Sequence, residues 1–132
     1  MDRVFLDANV LFSAAYGSPR ILVLWDLAAS GRCTLLASRH VIEEARRNLR
    51  PDQQAALEGL VAVLSVIRDP IPDLPCPIDL PTGDREAFLS AVGAGATHFL
   101  TGDTRHFGAY YGVSFGGVLV QTPAEYLAAQ TG

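Results

Sequence analysis

Short apolar runs recur along the chain and are separated by longer amphipathic segments. Five runs stand out: VFL (4–6), CTLLA (33–37), VLSVI (63–67), THFLT (97–101) and GVLVQ (117–121). Apolar runs of this length that alternate with helical patterns are typical of βαβ units. The pattern therefore predicts an α/β fold built around a parallel sheet.

Helix start and stop signals delimit three of the intervening segments. The SP dipeptide at 18–19 predicts the beginning of a helix that ends at Gly31. Ser38 can cap the helix that carries VIEEARRNL, which has to stop before Pro51. The TPAE motif at 122–125 has the form of a capping box, so it predicts a C-terminal helix.

The segment RDPIPDLPCPIDLPTGD, residues 68–84, contains five prolines. Proline lacks a backbone N–H and fixes its own φ angle, so this segment can form neither a helix nor a central strand. The residues that follow it have too little apolar surface to fold alone. We therefore interpret it as a long extended crossover within a single domain that spans residues 1–132.

Composition agrees with a packed globule of 132 residues, with 49% hydrophobic and 18% charged residues. No apolar run is long enough to span a bilayer, and the N-terminus lacks the pattern of a signal peptide, so a cytoplasmic protein is expected. Cys33 and Cys76 have no metal-ligand spacing and are expected to be free thiols.

All ten basic residues are arginine, and the chain contains no lysine. A P-loop needs a lysine on the phosphates and a Schiff-base enzyme needs an amine, so both classes are excluded. The formal net charge of −4 argues against a protein that coats nucleic acid through a general basic field. It leaves open an enzyme whose acids are gathered at one site.

Two acids follow predicted strands directly. Asp7 ends the first apolar run and Asp103 comes just after the fourth. In open parallel sheets, ligands bind beyond the carboxyl ends of the strands, so both acids are expected at the functional edge. Each also has a purely structural interpretation, because Asp7 could cap a helix and Asp103 could close an Asx turn.

Two further acids belong to predicted helices. Asp84 precedes the run REAFLSAVGAG and could serve as its N-cap. Helical geometry places Glu44 on the flank of the buried face, whereas Glu43 points away and has Arg47 four residues on as an ion-pair partner. Glu44 is therefore the acid better placed to reach a cleft.

Four carboxylates at one edge would repel one another unless they bound a cation. Oxygen ligands favour Mg²⁺ or Mn²⁺, and such sites commonly serve phosphoryl chemistry. The set Asp7, Glu44, Asp84 and Asp103 is therefore a candidate metal site.

Three blocks, FLDANVLFSA, SRHVIEEARRNL and GDREAFLSAVGAGATHFLTGDTRHF, resemble the motif blocks of PIN domains, in order and at fitting separations. The first is most similar to the subgroup of VapC-type toxins. The resemblance implies a three-layer α/β/α fold and metal-dependent RNA cleavage by a metal-activated water. Asp7, Glu44, Asp84 and Asp103 match the four acids of the family in order, as catalytic residues and metal ligands.

Other positions follow from the same resemblance. Thr101 matches a hydroxyl that commonly supports the site, and Asn9 stands where relatives often have a hydroxyl or an amide, so both are expected to orient the acids. His106 is at a position that some relatives fill with an acid, although a loop histidine is the simpler interpretation. Apart from the resemblance, Arg105 lies near Asp103 in the sequence, and its forked guanidinium group makes it a candidate for contact with a substrate phosphate.

The leading hypothesis is a Mg²⁺- or Mn²⁺-dependent endoribonuclease that acts on RNA and serves as the toxin of a toxin–antitoxin pair, with an antitoxin partner and a homodimer expected. One alternative is a PIN-like module for interaction or RNA docking that has lost catalysis. A Mg²⁺-dependent phosphatase of the haloacid dehalogenase type fits less well. It needs a second aspartate where the chain has Asn9, and a lysine that the chain lacks.

Overall fold

A six-stranded sheet forms the centre of the molecule, in the order β3-β2-β1-β4-β6-β5. The computed structural model describes residues 1–67 and 75–131. All neighbouring strands are parallel except β5 and β6, which are antiparallel. The predicted α/β fold with a parallel sheet is confirmed, and β5 is an addition that the pattern did not predict. The strands are β1 (Asp2–Leu6), β2 (Cys33–Ser38), β3 (Ser65–Ile67), β4 (His98–Leu100), β5 (Ser114–Phe115) and β6 (Val118–Gln121).

Seven α-helices accompany the sheet in the described part of the chain, together with one 3₁₀ turn at Gly108–Tyr110. The three predicted caps are confirmed. Ser18 Oγ accepts a hydrogen bond from the Ile21 N–H, and Ser38 Oγ accepts one from the Val41 N–H. The helices are α1 (Ala8–Ala15), α2 (Pro19–Ala29), α3 (Arg39–Arg47), α4 (Pro51–Val61), α5 (Thr82–Gly93), α6 (Thr104–Phe107) and α7 (Pro123–Thr131).

The third cap, at the start of α7, is a reciprocal capping box. The Thr122 N–H donates to Glu125 Oε1 at 2.9 Å, and the Glu125 N–H donates to Thr122 Oγ1 at 3.1 Å. Two N–H groups at the beginning of α7 are thereby satisfied within the chain. This leaves the helix terminus with less capacity to bind an external anion.

The core beneath the carboxyl edge of the sheet is aromatic. The ring of Phe99, in β4, is stacked against Phe5 and Phe88, each with centroids 5.5 Å apart, and contacts Phe107 at 5.0 Å. All four rings are fully buried. Such pairs add stability beyond the area they bury, so β1, β4, α5 and α6 are fixed relative to one another just below the acids.

The proline-rich crossover is only partly described. Residues 75–81 contain neither helix nor strand, in agreement with the prediction, and residues 68–74 lie outside the described part of the chain. For residues 82–84 the prediction is wrong, because Pro81 is the last proline of the segment and α5 begins directly after it. Both cysteines are free, as predicted. Among the described residues, none of the helices combines the length and the apolar character needed to cross a membrane.

Candidate functional site

Asp7 lies at the carboxyl end of β1 and is almost fully buried, with 3% of its surface exposed. Its backbone N–H donates to the carbonyl oxygen of Leu100 at 3.0 Å, which ties the ends of β1 and β4 together. Its Oδ1 accepts a hydrogen bond from the Ala8 N–H at 2.9 Å, so the predicted cap of α1 is confirmed. The cap leaves the second oxygen of the carboxylate for other partners.

That second oxygen is held by two side chains. Thr101 Oγ1 donates to Asp7 Oδ2 at 2.9 Å, and Asn9 Nδ2 lies 3.1 Å from the same atom. Thr101 Oγ1 also accepts a hydrogen bond from the Asp103 N–H at 3.1 Å, and Asn9 Oδ1 accepts one from the Gly102 N–H at 2.7 Å. The hydroxyl and the amide that the motifs singled out therefore connect Asp7 to the loop that carries Asp103.

The environment of Asp7 favours its protonated form. Burial is the main cause and raises the pKa of the Asp7 carboxyl to about 6. The negative charges of Asp84 and Glu44 raise it further, while the hydrogen bonds from Thr101 and from the Ala8 N–H oppose the rise. A cation close to Asp7 would reverse this balance.

Asp103 and His106 are joined by the short helix α6. Asp103 caps α6 by accepting a hydrogen bond from the His106 N–H at 3.2 Å, so the predicted local turn is a helix cap. The same turn brings His106 Nδ1 to 2.7 Å from Asp103 Oδ2. His106 Nδ1 is also 2.9 Å from Asp84 Oδ2, so one ring nitrogen lies between two carboxylates.

The N-cap interpretation of Asp84 is wrong. Helix α5 begins at Thr82 and its N-cap is Pro81, so Asp84 is the third helical residue, where a negative charge suits the helix dipole. Burial is the largest cause that raises the pKa of the Asp84 carboxyl, and the charge of Asp103 adds to it. Asp84 and Asp103 therefore lie close together in the wall of one cavity.

Of the two glutamates of α3, Glu44 reaches a cavity and Glu43 does not, as predicted. Glu44 lines the same cavity as Asp7, Asp84 and Asp103. Its Oε1 lies beside the start of α5, since a Cβ added to Gly83 would be 3.8 Å from it. Glu43 instead forms an ion pair on the exposed side.

The partner of Glu43 differs from the prediction. It is Arg46, which is three residues on, and Arg46 also contacts Glu58 of α4 at 2.6 Å. The expected pair with Arg47 is therefore wrong. The reason is that α4 packs beside α3 and supplies a second acid, so Arg46 can bind two carboxylates at once.

All four predicted acids line one cavity of about 540 Å³ at the carboxyl edge of the sheet. Within the described residues, Asp84, Asp103 and His106 each offer a ligand atom within 4.8 Å of the others; Asp7 and Glu44 lie outside that group, in the cavity wall. Carboxylate oxygens with one imidazole form a donor set suited to Mn²⁺ and acceptable to Mg²⁺. The residues present fit a divalent cation.

Two residues that the sequence did not single out also line this cavity, and a third has a larger part in it than expected. Phe12 and Asn48 form part of its wall, and His106 contributes more directly than a loop histidine would. The three-residue spacing between Asp103 and His106 was the available signal for the histidine, because a single helical turn brings such positions together. The exposed Arg105 of α6 does not line this cavity.

Replacing Thr101 with valine is expected to lower the free energy of unfolding by about 1–3 kcal/mol, because the isosteric methyl group cannot donate to the buried Asp7 carboxylate. Chemical denaturation measures this difference. Thr34→Val is a matched control, since Thr34 Oγ1 contacts only Met1 Sδ among the partners seen in the described residues. Equal stability of the two variants would contradict the role of the hydroxyl.

No protein-family model matches the sequence, and no curated protein matches it at a significant level. Solved structures do match. VapBC2 from Rickettsia felis, determined bound to a DNA fragment from its promoter, matches with a TM-score of 0.66 and 14% identity, over 91% of this chain and 98% of that one. VapC20 of Mycobacterium tuberculosis, a Sarcin-Ricin loop cleaving toxin, matches with a TM-score of 0.54 and 18% identity, over 80% of this chain and 94% of that one.

The architecture is that of a PIN-like α/β fold. More narrowly, the fold is that of VapC-like PIN domains, as the three motif blocks predicted. At 14% and 18% identity, these matches establish the architecture and leave the chemistry to the residues of this chain.

Proposed function

We propose that the protein is a divalent-metal-dependent endoribonuclease that hydrolyses RNA phosphodiesters. The observation that carries this proposal is the convergence of Asp7, Glu44, Asp84 and Asp103 in one cavity. The arrangement is costly for folding, because burial and the neighbouring negative charges raise the pKa of Asp7 and of Asp84. A bound cation would offset this cost by stabilising the ionised carboxylates.

Each residue has a separate part in the proposed site. Asp84, Asp103 and His106 would hold the cation, with Asp7 and Glu44 completing the negative wall around it. A bound Mg²⁺ or Mn²⁺ supplies Lewis-acid polarisation of the phosphodiester and lowers the pKa of water. Thr101 and Asn9 keep the Asp7 carboxylate in one orientation through their hydrogen bonds.

The biological role that fits best is that of a toxin controlled by an antitoxin protein. The fold shared with the toxin VapC20 supports the role of a toxin, and the likeness to VapBC2 supports a protein partner. An antitoxin would silence the enzyme most simply by covering the acid cavity. A homodimer, which the family resemblance implies, is compatible with this role.

Incubation of the purified protein with structured and single-stranded RNAs tests the proposal. We expect cleavage in Mn²⁺ or Mg²⁺, loss of cleavage in EDTA, and recovery when Mn²⁺ is restored in excess. The products should carry a 5′-phosphate and a 3′-hydroxyl, which end-specific enzymes distinguish. A folded protein that binds RNA but cleaves none of these substrates with either metal would contradict the proposal and favour a docking module.

A further inference from the structure

A second cavity, of about 510 Å³, adjoins the acid cavity. The two share Asn9 and Asp103 in their walls, so they lie side by side at the carboxyl edge. The second cavity lies between α1, α2 and the beginning of α7. Its wall is largely apolar, with Val10, Ile21 and Pro123 among its residues.

Arg20 adds a positive charge to the wall of the second cavity, which also contains Asp103. Among the residues that the structure describes, it is the one arginine in the walls of the two cavities, and His106 is the one basic side chain that lines the acid cavity. Its side chain is exposed, and among the described residues it has no ion pair or hydrogen bond. The guanidinium group is therefore available to a ligand.

Arg20 contributes little to the stability of its own helix. It lies in the first turn of α2, directly after Pro19, and that turn contains no acid. A positive charge near a helix N-terminus is unfavourable, because the helix dipole is positive there. Other arginines have structural partners: Arg46 binds Glu43 and Glu58, and Arg3 donates to the carbonyl oxygen of Ala94.

The nearby terminus of α7 does not offer an equivalent anion site. Its Thr122 and Glu125 N–H groups are already bonded within the capping box, and the Glu125 carboxylate adds negative charge. An anion that enters the second cavity would therefore meet Arg20 as its positive partner. The protein has a formal charge of −4 and an acidic site, so it repels a polyanion. A positive group beside the site, such as Arg20, would counter this repulsion.

We propose that the second cavity binds the RNA strand next to the scissile phosphate, with Arg20 forming a forked contact to a backbone phosphate and the partly exposed Ile21 packing against a sugar or base. This inference rests on the proposed ribonuclease function and names a substrate subsite for it. It assigns to Arg20 the phosphate contact that the sequence suggested for Arg105, which lies outside both walls.

Steady-state cleavage of a labelled, mixed-sequence single-stranded RNA of roughly ten nucleotides tests the subsite. Arg20→Gln should raise KM about fivefold to tenfold while kcat changes little, because the contact lies away from the reacting phosphate. The slope of log KM against log salt should decrease by about 0.7, the value for one phosphate contact on a single strand. Arg20→Lys, which keeps the charge, should retain most of the slope.

Arg32→Gln is the matched control, since Arg32 is also exposed and lies just beyond the other end of α2. Its KM and salt slope should equal those of the wild type. An unchanged KM in Arg20→Gln, or a raised KM with an unchanged slope, would overturn the subsite and favour a protein segment as the occupant. Absence of metal-dependent cleavage in the wild type would instead overturn the proposed function itself.

Discussion

Replacing Asp103 with asparagine is expected to reduce metal-dependent RNA cleavage by about a hundredfold or more while the fold is retained. Asp103 Oδ2 lies 2.7 Å from His106 Nδ1 in the group of potential ligands, and Asp103 lines both cavities. Removal of its charge weakens the cation site directly. The side-chain oxygen of asparagine can still accept the His106 N–H bond, so α6 keeps its cap.

The measurement is single-turnover cleavage at saturating Mn²⁺, with circular dichroism to verify folding. Asp26→Asn is a suitable control, because Asp26 is an exposed acid of α2 that lines neither cavity. Its rate should stay within about twofold of the wild type. Cleavage at the wild-type rate in the Asp103→Asn protein would mean that the activity belongs to another site or to a contaminant.

The positions of the two strand-end acids could be predicted because topology determines them. Asp7 follows β1 and Asp103 follows β4, and these strands are parallel neighbours, so their carboxyl ends meet at one edge. The arrangement of Thr101 and Asn9 around Asp7 was suggested by the motifs alone. The role of His106 was underestimated, since it depends on the single turn of α6 that Asp103 itself caps.

Parts of the fold were missed for physical reasons. Helix α4 has only one buried apolar residue, Leu57, so it lacks the apolar stripe that reveals most helices. Polar contacts hold it instead, including Arg46 with Glu58 and Gln54 Nε2 with the carbonyl oxygen of Leu49. Strand β5 has two residues, which is too short for any periodicity to show.

The subsite at Arg20 was invisible in the sequence for a different reason. Arg20 and Asp103 are far apart along the chain, and they share one cavity only because α1, α2 and the loop after β4 meet at the same edge. The local sequence offered a weak signal, a cation in the first turn of a helix where the dipole opposes it. This signal can be interpreted only when the tertiary structure shows which cavity Arg20 lines.

The metal-free protein is expected to become less stable as the pH rises from about 4 to about 6, because of Asp7. Its pKa is raised by burial from 3.8 to about 6, so the folded state holds a proton that the unfolded state releases in this range. The stabilisation is complete below the lower value and is lost as the pH passes the upper one. The raised pKa of Asp84, again chiefly from burial, acts in the same direction.

Asp7→Asn is accordingly expected to stabilise the metal-free protein at pH 7 by about 1–3 kcal/mol and to weaken the pH dependence. Asparagine carries no charge to bury, although one of its N–H groups meets the Asn9 amide, which offsets part of the gain. Thermal and chemical denaturation between pH 4 and pH 7 measure both effects. Asp79→Asn, at an exposed acid of the crossover, should leave stability and its pH dependence unchanged.

Addition of Mn²⁺ should make the wild type more stable than the Asp7→Asn protein, the reverse of their order without metal. The cation stabilises ionised Asp7 and its neighbours, so the wild type should gain about 3 kcal/mol when Mn²⁺ is at a hundred times its Kd, with a matching rise in Tm. Asp7→Asn should gain much less and lose cleavage. The charge that makes Asp7 costly to bury is then the same charge that binds the metal. An equal rise in Tm for both proteins, or no rise in either, would remove Asp7 from the metal site.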